Sequence, residues 1–324
     1  MKQIICLLLT FILSISIIIS CRNEESKSDT TASIKSVVFE IMAIHDPETG
    51  KHLFNLSEDT VSSGWTTFRF TNASPDDHFA VLWKLPVDKG EYTDPITFDT
   101  WQSRVTIPFQ KVMDNIVNPD IEGDAVFAPF GNIPDWYPDT EGYGGPGFTS
   151  AGHTSETTVN LVPGRYVMEC YVKNASEEFH SYLGMMEMIT VIDKPNNAEV
   201  PVGDLELTLS SSGGIFADDR IAPGQYSVSV YFEDQDVYEH MIGHDVHLVR
   251  LDGEEIQTVA EWMNWMIPGA LVSPSPGTFL GGTQTMKKGD TAYVTIKLQP
   301  GTYAWISEVP AKNEMWKVFT VTTD

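Results

Sequence analysis

Residues 163–191 read PGRYVMECYVKNASEEFHSYLGMMEMITV. The run opens on a Pro-Gly turn, continues as a strand, crosses a polar loop and returns as the alternating strand Met186 to Val191. Cys170 stands at the end of the first strand, His180 in the loop, and Met185 where the second strand begins. A thiol, an imidazole and a thioether gathered at two strand ends are the soft donors that a mononuclear copper site of the electron-transfer type requires. The chain has three cysteines. Cys6 falls in an amino-terminal leader and Cys21 at its end is expected to carry a lipid, so Cys170 has no internal disulfide partner and needs another explanation. The plain alternative is a small buried hydrophobe.

The pattern around this stretch occurs twice. Asp77-His78-Phe-Ala-Val-Leu-Trp-Lys-Leu85 aligns with Gly243-His244-Asp-Val-His-Leu-Val-Arg-Leu251, and Val159-Asn-Leu-Val-Pro-Gly-Arg-Tyr166 aligns with Ile296-Lys-Leu-Gln-Pro-Gly-Thr-Tyr303. Each copy begins with alternating strands (Ser36 to Met42 and Trp65 to Thr71; Asp204 to Leu209 and Gln225 to Phe232) and closes with another (Met186 to Val191; Trp316 to Val321). These features predict an all-β chain of two tandem sandwiches, residues 34–194 and 199–324, joined by the polar linker Asp193 to Ala198. Between the histidine strand and the PG-x-Y strand, Asp99 to Asn115 and Glu254 to Met266 carry apolar residues at helical spacing, which predicts a short helix in each copy. The first insert continues into a Pro/Gly/aromatic loop, residues 127–148, containing Trp136, Tyr137 and Tyr143. Those rings form either a ligand or partner surface or a cover packed on the end of the sandwich, the commoner use of such rings.

The series of a strand with Asn72 and His78, then PG-x-Y-x-x-x-Cys, a loop with His, Gly-Met and a closing strand resembles the cupredoxin superfamily. More narrowly, it resembles members with a helix after the histidine strand and a long Cys-to-His loop. The resemblance covers residues 34 to 324 twice over and is strongest in 65–85 and 159–191. It implies tandem Greek-key β-sandwiches. It also implies one copper ion in the first copy, with His78, Cys170 and His180 as ligands and Met185 as the weak axial ligand; the Gly184-Met185 pair favours Met185 over Met186. One departure stands out. Nine residues, YVKNASEEF, separate Cys170 from His180 where electron-transfer cupredoxins have only a few. Glu177 and Glu178 in that loop either add oxygen donors or only solvate it. Zinc also accepts thiolate and imidazole ligands. In the second copy Ser307 stands at the position of Cys170 and its loop has no histidine, although His244 and Met315 remain. A soft-ligand site is not expected there, and His240, His244 and His247 read as structural residues, since His244 and His247 would point to opposite faces of an extended strand.

The amino terminus has Lys2, an apolar core and the ending Ile18-Ile19-Ser20-Cys21, which resembles a bacterial lipobox. This implies a signal peptide over residues 1–20, a lipid on Cys21 that attaches the protein to a membrane, and a polar tether over 21–33. The apolar run is too short for a comfortable transmembrane span. Glu24 and Glu25 after Cys21-Arg22-Asn23 resemble the export signal of surface lipoproteins, so the expected location is the outer membrane, facing the periplasm or the exterior. With 45 acidic against 20 basic residues and a net charge of −25, the chain lacks the basic face nucleic acid needs. No nucleophile elbow, phosphate-binding Gly-rich loop or HExxH occurs. Cys170 with His180 as a nucleophilic pair lacks an activating helix N-terminus. The expectation is a lipid-anchored, non-enzymatic envelope protein whose copper site serves electron transfer or copper binding, with an unidentified redox or protein partner. The rival is a metal-free module that binds a protein or glycan through the 127–148 loop and the face between the domains.

Overall fold

The computed structural model describes residues 37–323; the expected signal peptide, Cys21 and the expected tether lie outside them. The first copy runs β1 (Val37–Asp46), β2 (Lys51–Leu56), β3 (Thr60–Asn72), β4 (Val81–Lys84), β5 (Glu141–Gly142), β6 (Thr154–Leu161), β7 (Gly164–Glu169) and β8 (Met186–Pro195). The second runs β9 (Leu205–Ser210), β10 (Gly214–Phe216), β11 (Arg220–Ile221), β12 (Gly224–Phe232), β13 (Val246–Arg250), β14 (Thr278–Thr283), β15 (Thr291–Leu298), β16 (Gly301–Ile306) and β17 (Trp316–Val321). In each copy two β layers close on an apolar core, so the chain is all-β as expected, with two sandwiches.

β3 belongs to both layers of the first sandwich. Its start pairs parallel with β8, Thr60 opposite Thr190, and the register breaks between Ser62 and Ser63. From Gly64 onward it pairs antiparallel with β6 and parallel with β1. Gly64 sits at a φ of 116°, and the Asn196 side chain occupies the place a Cβ would take, so the crossing point needs a glycine. Alternation puts Phe39, Ile41, Phe68, Phe70, Val159, Leu161, Tyr166, Met168, Ile189 and Val191 inward, none more than 2% exposed. In the second sandwich Leu207, Leu209, Val228, Val230, Leu248, Val294, Ile296, Trp305 and Phe319 fill the corresponding space.

The two sandwiches are not beads on a string. β6 pairs antiparallel with β15, which joins a layer of each copy into one continuous sheet. Thr157 stands opposite Val294, its own counterpart in the repeat, so the copies are related by a local two-fold axis through that pair. The linker is strapped down as well, with the Asn196 N–H donating to Ser63 O at 2.7 Å and its side-chain amide donating to Trp65 O at 2.9 Å.

The helical inserts lie where the spacing placed them. α1 (Phe98–Trp101) starts at Thr97, whose side chain accepts the Thr100 N–H, and passes through a π-helical turn into α2 (Ile107–Val117). α3 (Ile256–Trp262) is shorter than the expected Glu254 to Met266. Beyond it the Asn264 side chain takes the Met266 N–H at 3.0 Å, a local turn that competes with helical bonding. The Trp136 to Phe148 part of the 127–148 loop is a cover, while Phe127 stays 42% exposed. Trp136 and Phe148 are fully buried and Tyr143 is 7% exposed. Trp136 stacks on Trp101 with centroids 6.2 Å apart, and Phe148 meets Phe79 at 4.8 Å and Phe279 at 5.0 Å across the two copies. With Trp136 and Tyr143 turned inward, their rings form no outward-facing binding surface.

Candidate metal centre

The loop from Cys170 to His180 is long in sequence and short in space. Lys173 bridges to Phe179, and the His180 N–H donates to Val172 O at 2.8 Å, so the segment is a small hairpin. Its tip is tied by Asn174, whose side-chain oxygen accepts the N–H groups of Ser176 and Glu178 at 2.8 and 3.0 Å. Gln110 of α2 clamps the returning arm, accepting the Phe179 N–H at 2.8 Å and donating to Glu177 O at 3.2 Å. Lys173, with no exposed surface, donates to Glu177 at 2.6 Å and to the carbonyls of Trp265 and Ile267 at 3.1 and 3.2 Å. Glu178 accepts from the Asn174 amide at 2.9 Å. Glu178 thus serves the loop itself, while Glu177 also accepts the Gly269 N–H of the second copy at 2.5 Å. The closure of this hairpin removes the apparent obstacle of the nine-residue gap.

His78 is placed from the opposite side. Its N–H and C=O exchange hydrogen bonds with Thr149 at 3.2 and 2.7 Å. The neighbouring Asp77 carboxylate accepts from Ser150, Ser273 and Ser275 and so fixes this turn to the second copy. His78 Nε2 is bonded to Ser74 Oγ at 2.8 Å, which leaves Nδ1 facing Cys170. Cys170 continues β7, and its N–H donates to Met185 O at 3.2 Å, so the start of β8 is held beside it.

The three donor atoms converge. His78 Nδ1 lies 3.0 Å from His180 Nδ1, and Cys170 Sγ lies 3.6 Å from the first and 3.9 Å from the second. Metal bonds of about 2.0 Å to nitrogen and 2.3 Å to sulfur put the ligand atoms of one shared ion roughly 3 to 4 Å apart. These separations therefore fit a single ion. His78, Cys170, His180 and Met185 have no exposed surface, so Met185 joins the three in the interior. His180 Nε2 is buried without a hydrogen-bond partner among the described residues.

Burial sets the protonation states. It holds His78 and His180 well below the ordinary histidine range, keeping both imidazoles neutral with lone pairs available. Burial also pushes the Cys170 thiol up to about 12, although the Phe79 and Val172 N–H groups favour the thiolate. Binding of a soft cation would have to displace that proton.

One residue beside the centre was missed in the sequence. His52 is 4% exposed and its ring stacks on His180, centroids 3.8 Å apart and planes 12° from parallel. A ring nitrogen of His52 lies within 4.8 Å of nitrogens of both His78 and His180. Its signal was the symmetric placement of His45 and His52 about the turn residues DPETGK, which an antiparallel hairpin makes direct neighbours. Burial, and secondarily His45, lowers the His52 pKa to about 4.

The second copy shows what the same positions become without a soft-ligand set. The Ser307 N–H donates to Met315 O at 3.0 Å, so Met315 occupies the place of Met185. Ser307 Oγ donates to Asp245 at 2.7 Å. The three histidines go to separate partners: His240 to Glu308 O, His244 to Ser211 Oγ at 2.7 Å, and His247 to Asp245 at 2.9 Å. Donor atoms of Asp245, His247 and Glu308 also lie within 4.8 Å of one another. There, however, the Phe148 N–H donates to His247 Nδ1 at 3.1 Å, which places the ring proton on Nε2, facing Asp245. That nitrogen has no free lone pair for a cation, and the cluster reads as a hydrogen-bonded network.

No family model matches the chain, and no curated protein matches its sequence. Solved structures similar to it include auracyanin A, a "blue" copper protein from the green thermophilic photosynthetic bacterium Chloroflexus aurantiacus, 19% identical over 49% of this chain and 100% of that chain, TM-score 0.28. A Cu-containing nitrite reductase from Thermus scotoductus is 12% identical over 90% of this chain and 62% of that chain, TM-score 0.22. A blue copper oxidase from Nitrosomonas europaea is 13% identical over 89% of this chain and 86% of that chain, TM-score 0.24.

Proposed function

We propose that the first sandwich binds one copper ion through His78 Nδ1, Cys170 Sγ and His180 Nδ1, with Met185 as a weak fourth ligand, and serves electron transfer or copper binding. The observation that carries the reading is the triangle of donor atoms, 3.0, 3.6 and 3.9 Å on its sides, in a fully buried setting. Two neutral imidazoles and one thiol suit a soft cation better than a hard one. Once bound, copper supplies a one-electron couple. The chain supplies the rest: Ser74 orients His78, the Gln110 clamp and the Lys173 anchor hold His180 near Cys170, and the closed shell excludes water. The same reading makes the protein a lipid-anchored one, attached at Cys21 to the outer membrane; a Cys21→Ser variant should then lose both its lipid mass and its membrane association.

Copper titration of the mature protein tests the proposal. We expect one equivalent bound, with a thiolate-to-copper absorption band. Cys170→Ser should lose the band and most of the affinity while remaining folded, because Ser307 already fills the equivalent position in the second copy. If the wild type binds no better than Cys170→Ser, the reading fails.

A further inference from the structure

The four ligand side chains of the centre have no exposed surface, so a cation must reach it past neighbouring groups. We propose that His45 and His52 form the path by which copper ions enter and leave the centre; this rests on the metal-binding reading above. The two residues are direct cross-strand partners at the end of the β1–β2 hairpin. Their rings stack at 4.7 Å, and the His52 ring in turn stacks on His180 at 3.8 Å. The result is a staircase of three imidazoles from half-buried His45 to fully buried His180. The hairpin carrying it is fixed: Asp46 accepts the Glu48 N–H at 2.9 Å and the Thr49 hydroxyl at 2.6 Å across the turn.

His52 has the features of a stepping stone. Its Nδ1 is buried with no hydrogen-bond partner among the described residues, and the Asp76 carboxylate lies 3.8 Å away. Near-parallel stacking also excludes it as a permanent co-ligand with His180. Imidazole lone pairs lie in the ring plane, so an ion in the plane of His180 sits off the plane of His52. Yet a His52 nitrogen comes within 4.8 Å of the His78 and His180 nitrogens, little more than the roughly 4 Å that two metal–nitrogen bonds span end to end. An ion held by His52 can therefore pass to His180 and His78 by ligand exchange, without crossing a dry apolar gap. Asp46, whose carboxylate interacts with His45, and Asp76, 3.8 Å from His52, favour arrival of a cation at the outer end.

The test follows uptake of divalent copper by the apo-protein, read as growth of the thiolate band after mixing. His52→Leu and His52→Phe should each slow uptake several-fold while the final copper content, equilibrium affinity and band position match the wild type. His52→Phe keeps an aromatic ring against His180 but has no lone pair, so it separates ligation from packing and guards against a folding defect in the leucine variant. His45→Leu should slow uptake to a lesser degree. Uptake by His52→Phe at the wild-type rate, or faster uptake by either variant, would show that His52 is only a cover and overturn the proposal. A wild type that takes up no copper would instead sink the functional reading on which it rests.

Discussion

At the scale of single residues, the centre depends on side chains that never touch the proposed metal. Gln110 is the clearest case, because both ends of its amide are engaged with the Cys-to-His loop at Phe179 N and Glu177 O. Gln110→Leu leaves a buried N–H and a carbonyl unpaired, which costs about 1 to 3 kcal/mol. The effect should concentrate in the loop. We expect faster amide exchange at Phe179 and His180 and weaker copper affinity, with the strands of the second sandwich unaffected; unchanged exchange at these two amides would show that the loop is held by other contacts. The residue scale also shows what a sequence can disclose. Cys170, His180 and Met185 were legible because they sit in one short stretch, and His78 because the repeat and the family resemblance located it. His52 was not, since its role arises from a ring stacked across a hairpin, and no spacing rule for ligands points to a residue 128 positions before His180.

At the scale of elements, the hairpin 171–180 is the part that departs from the expected pattern, and its stability comes from a buried cation. Lys173 is fully buried, and burial lowers its pKa although Glu177 opposes that shift. Its ammonium neutralises Glu177 and caps two carbonyls of the segment after α3, so the loop of the first copy is docked on the second. Lys173→Met removes all of these donors and leaves Glu177 without its cation. Breaking a buried pair from one side costs about 3 to 5 kcal/mol, so we expect a marked drop in the thermal midpoint. Adding Glu177→Gln should recover part of it, and a double variant no more stable than Lys173→Met would show that Glu177 is not the group left uncompensated. Element boundaries were legible wherever alternation was regular, as in β17, which spans the expected Trp316 to Val321. The shortened α3 was not, because an Asn side chain competing for a backbone N–H leaves no mark on apolar spacing.

At the scale of the whole molecule, the repeat has become an asymmetric dimer within one chain. Tyr171 donates to Glu308 at 3.2 Å, and these two are each other's counterparts, just as Thr157 and Val294 are across the joined sheet. Sequence disclosed the duplication but not this axis, since pairing between copies depends on sheet edges whose partners alternation alone does not specify. Along the axis the first copy contributes Phe79 and Tyr171, while the second contributes Asp245 and Glu308 at the matching positions. Two carboxyl groups are thereby buried side by side. Asp245 is supported as an anion by His247, Ser307 and the Glu308 N–H, and lies below the ordinary carboxylate range. Burial, then repulsion from Asp245, holds the Glu308 carboxyl well above it. A glutamate ionises near 4.5 when unfolded, so the folded state binds this proton more tightly. The stability that Glu308 contributes is fully present below about pH 4.5 and is lost as pH rises through its raised folded value. Glu308→Gln keeps an oxygen acceptor for the Tyr171 hydroxyl and cannot ionise. Its thermal midpoint should therefore hold on the alkaline side where that of the wild type declines, the gap widening with pH. Melting curves collected from about pH 5 to pH 9 decide it: parallel pH profiles for the two proteins would mean that Glu308 is already ionised throughout and that the domain interface tolerates both charges.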